Sequence, residues 1–193
     1  RRSAAVQQQI AECAERTVRA LCLAHGPAHL EFRINQRGAW VLEASPRPIG
    51  GLCSRALRFG PQRMLLEELL VRHALGLETA HLEREPSASG VMMIPVPHSG
   101  VLERVEGEAD ALATPGIEEL HITARLHDYI AAWPEGSSYL GFIFARAAEP
   151  AAAEAALRAA HAKLRFQIAP RLPVEHPATR TFPVPDEESK RAT

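Results

Sequence analysis

The stretch His29-Leu-Glu-Phe-Arg-Ile-Asn-Gln-Arg-Gly-Ala-Trp-Val-Leu-Glu-Ala-Ser45 constrains the chain most, because it alternates polar and apolar residues on both sides of a glycine-containing turn. Period-two alternation is the signature of half-buried strands, so residues 29–45 are predicted to form a β-hairpin with an acid on each arm. The loop length sets where those acids point. A three-residue loop, 36–38, with Gly38 in the left-handed region pairs residue 35 with 39 and sets Glu31 opposite Glu43. A four-residue loop, 35–38, pairs 34 with 39 and sends the two glutamates to opposite faces. In the first register two like charges repel unless a cation lies between them. A hard divalent ion fits that gap, since Mg²⁺ takes about six oxygen ligands, often one or two carboxylates completed by phosphate and water.

The continuation, Ser45-Pro46-Arg47-Pro48-Ile49-Gly50-Gly51, is a stiff exit followed by backbone without side chains. Arg47 can present a planar guanidinium to a phosphate or a carboxylate, and Gly50 and Gly51 can bring bare amides close to a ligand. An ordinary turn satisfies the same Pro/Gly composition.

Upstream, Ser3 can cap a helix in which Val6, Ile10, Cys13, Thr17 and Leu21 recur at helical spacing until Gly26-Pro27. Downstream, Pro61 suits a helix start, with Met64, Leu65, Leu69 and His73 running to Gly76. The polar segment 78–89 is the expected linker between a first unit, 1–77, and a second, 90–169. In the second unit Met92, Ile94 and Val96 alternate, strands are predicted at 117–126 and 139–146 with Leu140, Phe142 and Phe144 on one face, and an alanine-rich helix spans Pro150 to about Arg165. The tail, 170–193, carries Pro170, Pro173, Pro177, Pro183 and Pro185 and is expected to be extended or disordered.

With 46% hydrophobic residues the 193-residue chain has ample material for a core, and 22 basic against 23 acidic residues give no electrostatic case for nucleic acid or an anionic membrane. Cys13, Cys22 and Cys53 lack metal-ligand spacing; Cys13 and Cys22 read as small core residues of the first helix. Odd, scattered cysteines favour a reducing, cytoplasmic compartment. His121, His127 and Asp128 share no ligand spacing and are expected at solvent or turn positions. Trp133-Pro134 and Tyr139 read as a packing cluster in preference to a lid, and Arg55, Arg58 and Arg63 as a solvated helix flank in preference to a phosphate surface.

The run GPAHLEFRINQRGAWVLEASPRPIGG resembles the carboxyl-terminal end of an ATP-grasp domain, and the segments VMMIPVPHSGVLERVEG, PGIEELHI and SSYLGFIFARAAEPAAAEAALRAAHAKLRF resemble the small domain that follows it in L-amino-acid ligases and similar carboxylate-amine ligases. The implied fold class is α+β: the carboxyl-terminal half of an ATP-grasp domain, built of antiparallel strands and helices, then a small antiparallel sheet covered by a helix. The resemblance implies ATP and Mg²⁺ (or Mn²⁺) as cofactors, with Glu31, Glu43 and Ser45 as metal ligands. It also implies Glu31, Glu43, Arg47, Gly50 and Gly51 as contacts to the metal-nucleotide, Arg47 as the catalytic cation, and His29 with Arg47 facing the substrate. Ser45 departs from the family, which usually has Asn there, so a second metal is the least secure inference.

The implied reaction is ADP-forming: a carboxylate attacks the γ-phosphate, an acyl phosphate forms, and an amine displaces phosphate. Its partners are small-molecule carboxylate and amine substrates and the upstream half of the same protein, with a homodimer admissible and no nucleic acid or membrane. Because the chain starts without Met and enters a helix at once, it is expected to be the carboxyl-terminal portion of a longer protein and inactive alone. Two rivals are a biotin-carboxylase- or purine-pathway-type ATP-grasp enzyme and a non-catalytic interaction module with a degenerate metal site.

Overall fold

The computed structural model describes residues 3–171, so the tail beyond Arg171, for which extension or disorder was expected, lies outside the described residues. The fold is α+β. Helix α1 (Ala4–Ala20) delivers the chain to the hairpin β1 (His29–Asn35) and β2 (Gly38–Ser45), and lies against β2. A 3-10 turn (Cys53–Ala56) leads into a second small hairpin, β3 (Arg58–Phe59) and β4 (Met64–Leu65), and then helix α2 (Leu66–Ala74). Pro61 therefore sits in a hairpin turn and not at a helix start, because Phe59 pairs with Met64 and postpones the helix to Leu66. Cys22 is not a core residue of α1 either. It follows the helix in the left-handed region, at φ 56°, and is exposed.

The second unit stacks two three-stranded antiparallel sheets. One has the order β5-β9-β7, from β5 (Ala88–Ile94), β9 (Gly141–Ala147) and β7 (Ile117–Ile122). The other has the order β10-β6-β8, from β10 (Arg165–Ala169), β6 (Gly100–Glu106) and β8 (Tyr129–Ile130). Helices α3 (Glu108–Leu112) and α4 (Pro150–His161) complete the core, α4 packing on β5 and β9. Proline at its first turn and a run of alanines explain α4, yet it stops at His161 and not near Arg165. The residues beyond reverse and pair with β6, Phe166 opposite Val105. Ile94, Leu102, Leu140 and Ile143 are fully buried at the centre, with Ala153, Leu157 and Ala160 of α4 against them.

Phe142 and Phe144 lie on the other face of β9, where they cluster with Ala56 of the 3-10 turn. Leu140, expected on that face, precedes the strand and joins the main core instead.

Beside this aromatic cluster one guanidinium ties four segments together. Arg146 of β9 donates from Nε to Glu118 of β7 at 2.9 Å, from Nη1 to Glu85, and from Nη2 to the Ala56 carbonyl at 3.2 Å. Arg63 of the β3-β4 turn meets the same two acids, at 3.0 Å from Glu118 and 3.6 Å from Glu85. The arginines of this region are thus ion-pair partners and not a solvated flank. Burial, with repulsion from Arg63, Arg58 and Arg84, lowers the Arg146 pKa to about 10, so it stays charged at neutral pH.

Removing one partner of a buried pair leaves the others uncompensated. Arg146 and Glu85 are only 11% and 13% exposed. Arg146→Met is expected to cost about 3 kcal/mol, lowering Tm by roughly 6–12 °C for a chain this size. Thermal unfolding followed by circular dichroism checks this, and a shift under about 2 °C would remove the joint from the account of stability.

Candidate functional site

The β1-β2 hairpin sets Glu31 opposite Glu43 and His29 opposite Ser45, so these four side chains share one face. Neither loop considered from the sequence produces this. The turn is Gln36-Arg37, Asn35 pairs with Gly38, and the Asn35 side chain accepts from the Arg37 amide at 2.8 Å. Gly38 has the positive φ expected of it, 121°, but as the first residue of β2 and not as the third member of a loop. Ile34 pairs with Ala39, the register of the four-residue alternative, which alone would separate the acids. A β-bulge between Glu31 and Phe32 then shifts the ladder by one, leaving Leu42 as the extra residue, and the acids return to one face. Leu42 is 60% exposed, consistent with a residue turned out of the ladder.

The acids are held from their flanks. The Ser45 hydroxyl donates to Glu43 Oε1 at 2.8 Å, and His29 Nε2 lies 3.6 Å from Glu31 Oε1. Arg47 forms no ion pair with either acid; its Nη1 donates to the Pro48 carbonyl at 3.0 Å, beside Gly50. Gly51, with φ 64°, has the Phe142 ring 3.7 Å from where a Cβ would stand, so the glycine loop rests directly on β9. This contact anchors the loop to the second unit. Among the described residues no group of three or more His, Cys, Asp or Glu side chains is placed to hold a metal. Two carboxylates suffice for Mg²⁺ when phosphate and water fill the remaining positions, and the hard oxygen donors here fit that ion.

A second polar cluster escaped the sequence reading. Glu119 of β7 receives Arg55 at 3.2 Å and Arg58 at 3.6 Å, and hydrogen-bonds His121 at 2.9 Å. His121 also lies 3.3 Å from Arg55, so it is a hydrogen-bonded member of this cluster on strand β7 and not a solvent or turn residue. The sequence signal was the Glu-x-His alternation on β7, but its arginine partners lie more than sixty residues upstream. Trp133 is 86% exposed, so it does not pack as expected. Tyr139 does touch Phe142, with ring centroids 6.4 Å apart.

Comparison with known proteins agrees with this architecture. Residues 3–56 match the sequence model of the ATP-grasp domain, and residues 92–169 match that of L-amino acid ligase C-terminal domain 2. In chain order the matched stretches are thus similar to part of an ATP-grasp domain and to the second carboxyl-terminal domain of the L-amino acid ligases, the order the residues suggested. It superposes on the crystal structure of the L-amino acid ligase from Bacillus licheniformis with a TM-score of 0.73 at 24% identity, covering 88% of this chain and 42% of that one. Phosphoribosylglycinamide synthetase from Anaerococcus prevotii gives 0.72 at 12% identity, covering 87% and 43%. These similarities establish the fold. A curated relative, the uncharacterized protein y4rH of Sinorhizobium fredii, is 23% identical over 84% of this chain. The chain spans 34% of that protein's length. No helix among the described residues is long and apolar enough to cross a membrane.

The Glu119 cluster has a pH signature. The hydrogen bond from His121, then the charges of Arg55 and Arg58, hold Glu119 below the usual glutamate pKa against the opposing effect of burial. A depressed carboxylate pKa contributes stability that is present above the unfolded value and lost as pH falls through the folded value. Glu119→Gln should therefore lower Tm at pH 7, and the difference from the parent should close as pH falls from the ordinary glutamate range through the lower folded value. Thermal scans across that range check it; a difference independent of pH would exclude the charge as its source.

Proposed function

We propose that this chain supplies the metal- and phosphate-holding wall of an ATP-dependent, ADP-forming carboxylate-amine ligase of the L-amino-acid ligase kind. The observation that carries the reading is the bulge-restored register of Glu31 against Glu43, which spends ladder regularity to keep two like charges on one face. Sheets avoid that pairing unless a cation resolves it.

Glu31 and Glu43 would hold Mg²⁺, which when bound supplies charge neutralisation at the nucleotide phosphates. Ser45 fixes the rotamer of Glu43 through its hydroxyl, and this commits the hydroxyl to the acid in preference to a second metal. His29 orients Glu31 and borders the substrate side. Arg47, now on the Pro48 carbonyl, would exchange that neutral acceptor for an anionic one, a phosphoryl oxygen or the substrate carboxylate, because charge-assisted hydrogen bonds are roughly twice as strong. Gly50 and Gly51 would let the ligand approach the backbone. The substrate carboxylate then attacks the γ-phosphorus, ADP leaves, and the amine displaces phosphate from the acyl phosphate to give an amide.

The adenine pocket and the opposing phosphate loop would come from an upstream half outside this chain, and the chain alone would be inactive. The same reading includes a reducing cytoplasmic setting, which suits the three free thiols. In a polypeptide carrying the upstream half together with this chain, Glu43→Gln should reduce substrate-dependent ADP release at least about a hundredfold, the usual size of a lost electrostatic contact to the transition state. Unchanged ADP release would remove the glutamate from the mechanism. Failure of that polypeptide to bind Mg²⁺-ATP in calorimetry would instead favour a non-catalytic interaction module.

A further inference from the structure

The segment 46–52, which carries Arg47, Gly50 and Gly51, contains neither helix nor strand, so its shape depends on what holds it. It leaves β2 at Ser45 and runs into the 3-10 turn Cys53–Ala56. Three consecutive residues of that turn are tied down: the Ser54 hydroxyl donates to Glu67 of α2, Arg55 reaches Glu119 of β7 at 3.2 Å, and the Ala56 carbonyl accepts from Arg146 of β9 at 3.2 Å. Arg58 meets the same Glu119 at 3.6 Å and donates back to the Leu57 carbonyl at 3.0 Å and to the Arg55 carbonyl, which closes the turn onto one carboxylate. Ahead of the turn, Gly51 rests on Phe142, whose Cε1 and Cζ lie 3.7 Å from where a Cβ on the glycine would stand. Among the described residues, no other atom outside the adjoining residues comes within 4 Å of that point. Phe142 is buried and stacks on Phe144, Phe144 meets His121 edge-on at 6.0 Å, and His121 bonds Glu119 at 2.9 Å. The ring contact and the charge contact are therefore one connected support, and Phe142, Phe144, His121 and Glu119 all belong to the second unit.

We propose that Phe142 and Glu119 are positioning residues for Arg47 and the Gly50 and Gly51 amides: a ring under Gly51 and a carboxylate on Arg55 set where the phosphate-holding segment stands. This rests on the ligase reading given above for Arg47 and the glycines. Both residues act through the backbone they hold. Arg47 Nη1 lies 3.9 Å from the Cβ position of Gly50 while it donates to the Pro48 carbonyl, so the guanidinium folds back over the stretch that Phe142 supports. Moving that stretch moves both the cation and the bare amides. A displacement of about 1 Å in groups that meet the reacting centre can cost about a hundredfold in rate, even when its source is far from the chemistry. On this account the second unit is a fixed part of the catalytic geometry and not an appendage to it.

Phe142→Leu keeps apolar bulk in the cluster and removes the ring edge from Gly51. Backbone ¹⁵N relaxation on the 193-residue chain, without ATP or Mg²⁺, reads the consequence directly. The Gly50 and Gly51 amides are expected near the rigid order parameter of about 0.85 in the parent and below about 0.6 in Phe142→Leu. Val91→Ala, which thins the same cluster away from Gly51, should leave them at the parent value. In the polypeptide carrying the upstream half, Phe142→Leu should lower kcat for ADP release about tenfold or more, and Val91→Ala should not. Should Phe142→Leu not fold, Glu119→Gln carries the same two measurements in the same direction, since that side chain is 28% exposed and its replacement keeps the shape. Unchanged glycine order parameters, an equal fall in Val91→Ala, or an unchanged kcat would each overturn the proposal. If Glu43→Gln leaves ADP release unchanged, the ligase reading fails by itself, and the relaxation measurement, which contains no nucleotide, still decides whether the second unit holds the segment.

Discussion

A set of arginines, Arg55, Arg58, Arg63 and Arg146, sets how the first unit sits on the second. Helices α1 and α2 bury no residue fully, so the first unit cannot fix its position by apolar packing of its helices. Its attachment rests on the small Ala56-Phe142-Phe144 cluster, on Arg146 reaching the Ala56 carbonyl, and on Arg55, Arg58 and Arg63 reaching Glu119 and Glu118 of β7. A bidentate or tridentate arginine is suited to this because its planar fork fixes direction as well as charge. Net stabilisation from such a pair is modest once desolvation is counted, whereas loss of one partner is costly. The joint therefore acts mainly as a specification of geometry, and the Gly50-Gly51 loop inherits its place on Phe142 from it.

The hairpin solves a different problem. A two-residue turn fixes the near register, and in that register the acids would point apart. One inserted residue, Leu42, inverts the parity of the strand beyond it, because side chains alternate with period two. The cost is an apolar side chain in solvent and a pair of opposed carboxylates. Glu31 is 56% exposed, so solvent screens much of that repulsion in the absence of a cation. Under the ligase reading the same exposure leaves the pair open to the nucleotide.

Much of this was legible in the residues because it is local. The alternation of 29–45, the alanine-rich helix after Pro150 and the apolar strand around Met92 each show their own periodicity within a dozen residues. What was not legible depends on partners far along the chain. Arg165–Ala169 is too short to reveal a strand period after a helix, and only pairing with β6 makes it one. Pro61 suits a helix start and a turn equally, and the choice falls to Phe59 meeting Met64. Arg146 and Glu85 are separated by 61 positions, so nothing near either announces the other. The opposed acids were anticipated for the wrong local reason: the register beside the two-residue turn is that of the four-residue loop, the distal register is that of the three-residue loop, and the bulge reconciles them.

The positions of Ser45 and Arg47 show how one short exit segment can serve two charges in sequence. Ser45 is paired across the ladder with His29 and donates a hydrogen bond to Glu43, so this strand end is occupied with aligning acids. Two residues on, the backbone has left the sheet, and Arg47 is free of both acids although they are close in sequence and opposite in charge. An ion pair from Arg47 to Glu43 would neutralise the site from within and compete with an incoming cation. Proline on either side of Arg47 restricts the backbone φ there, and the guanidinium rests instead on a neutral carbonyl it can give up cheaply. Keeping like charges together and the nearest opposite charge apart is unfavourable for the hairpin by itself, and under the ligase reading it becomes favourable when a ligand brings both a cation and an anion.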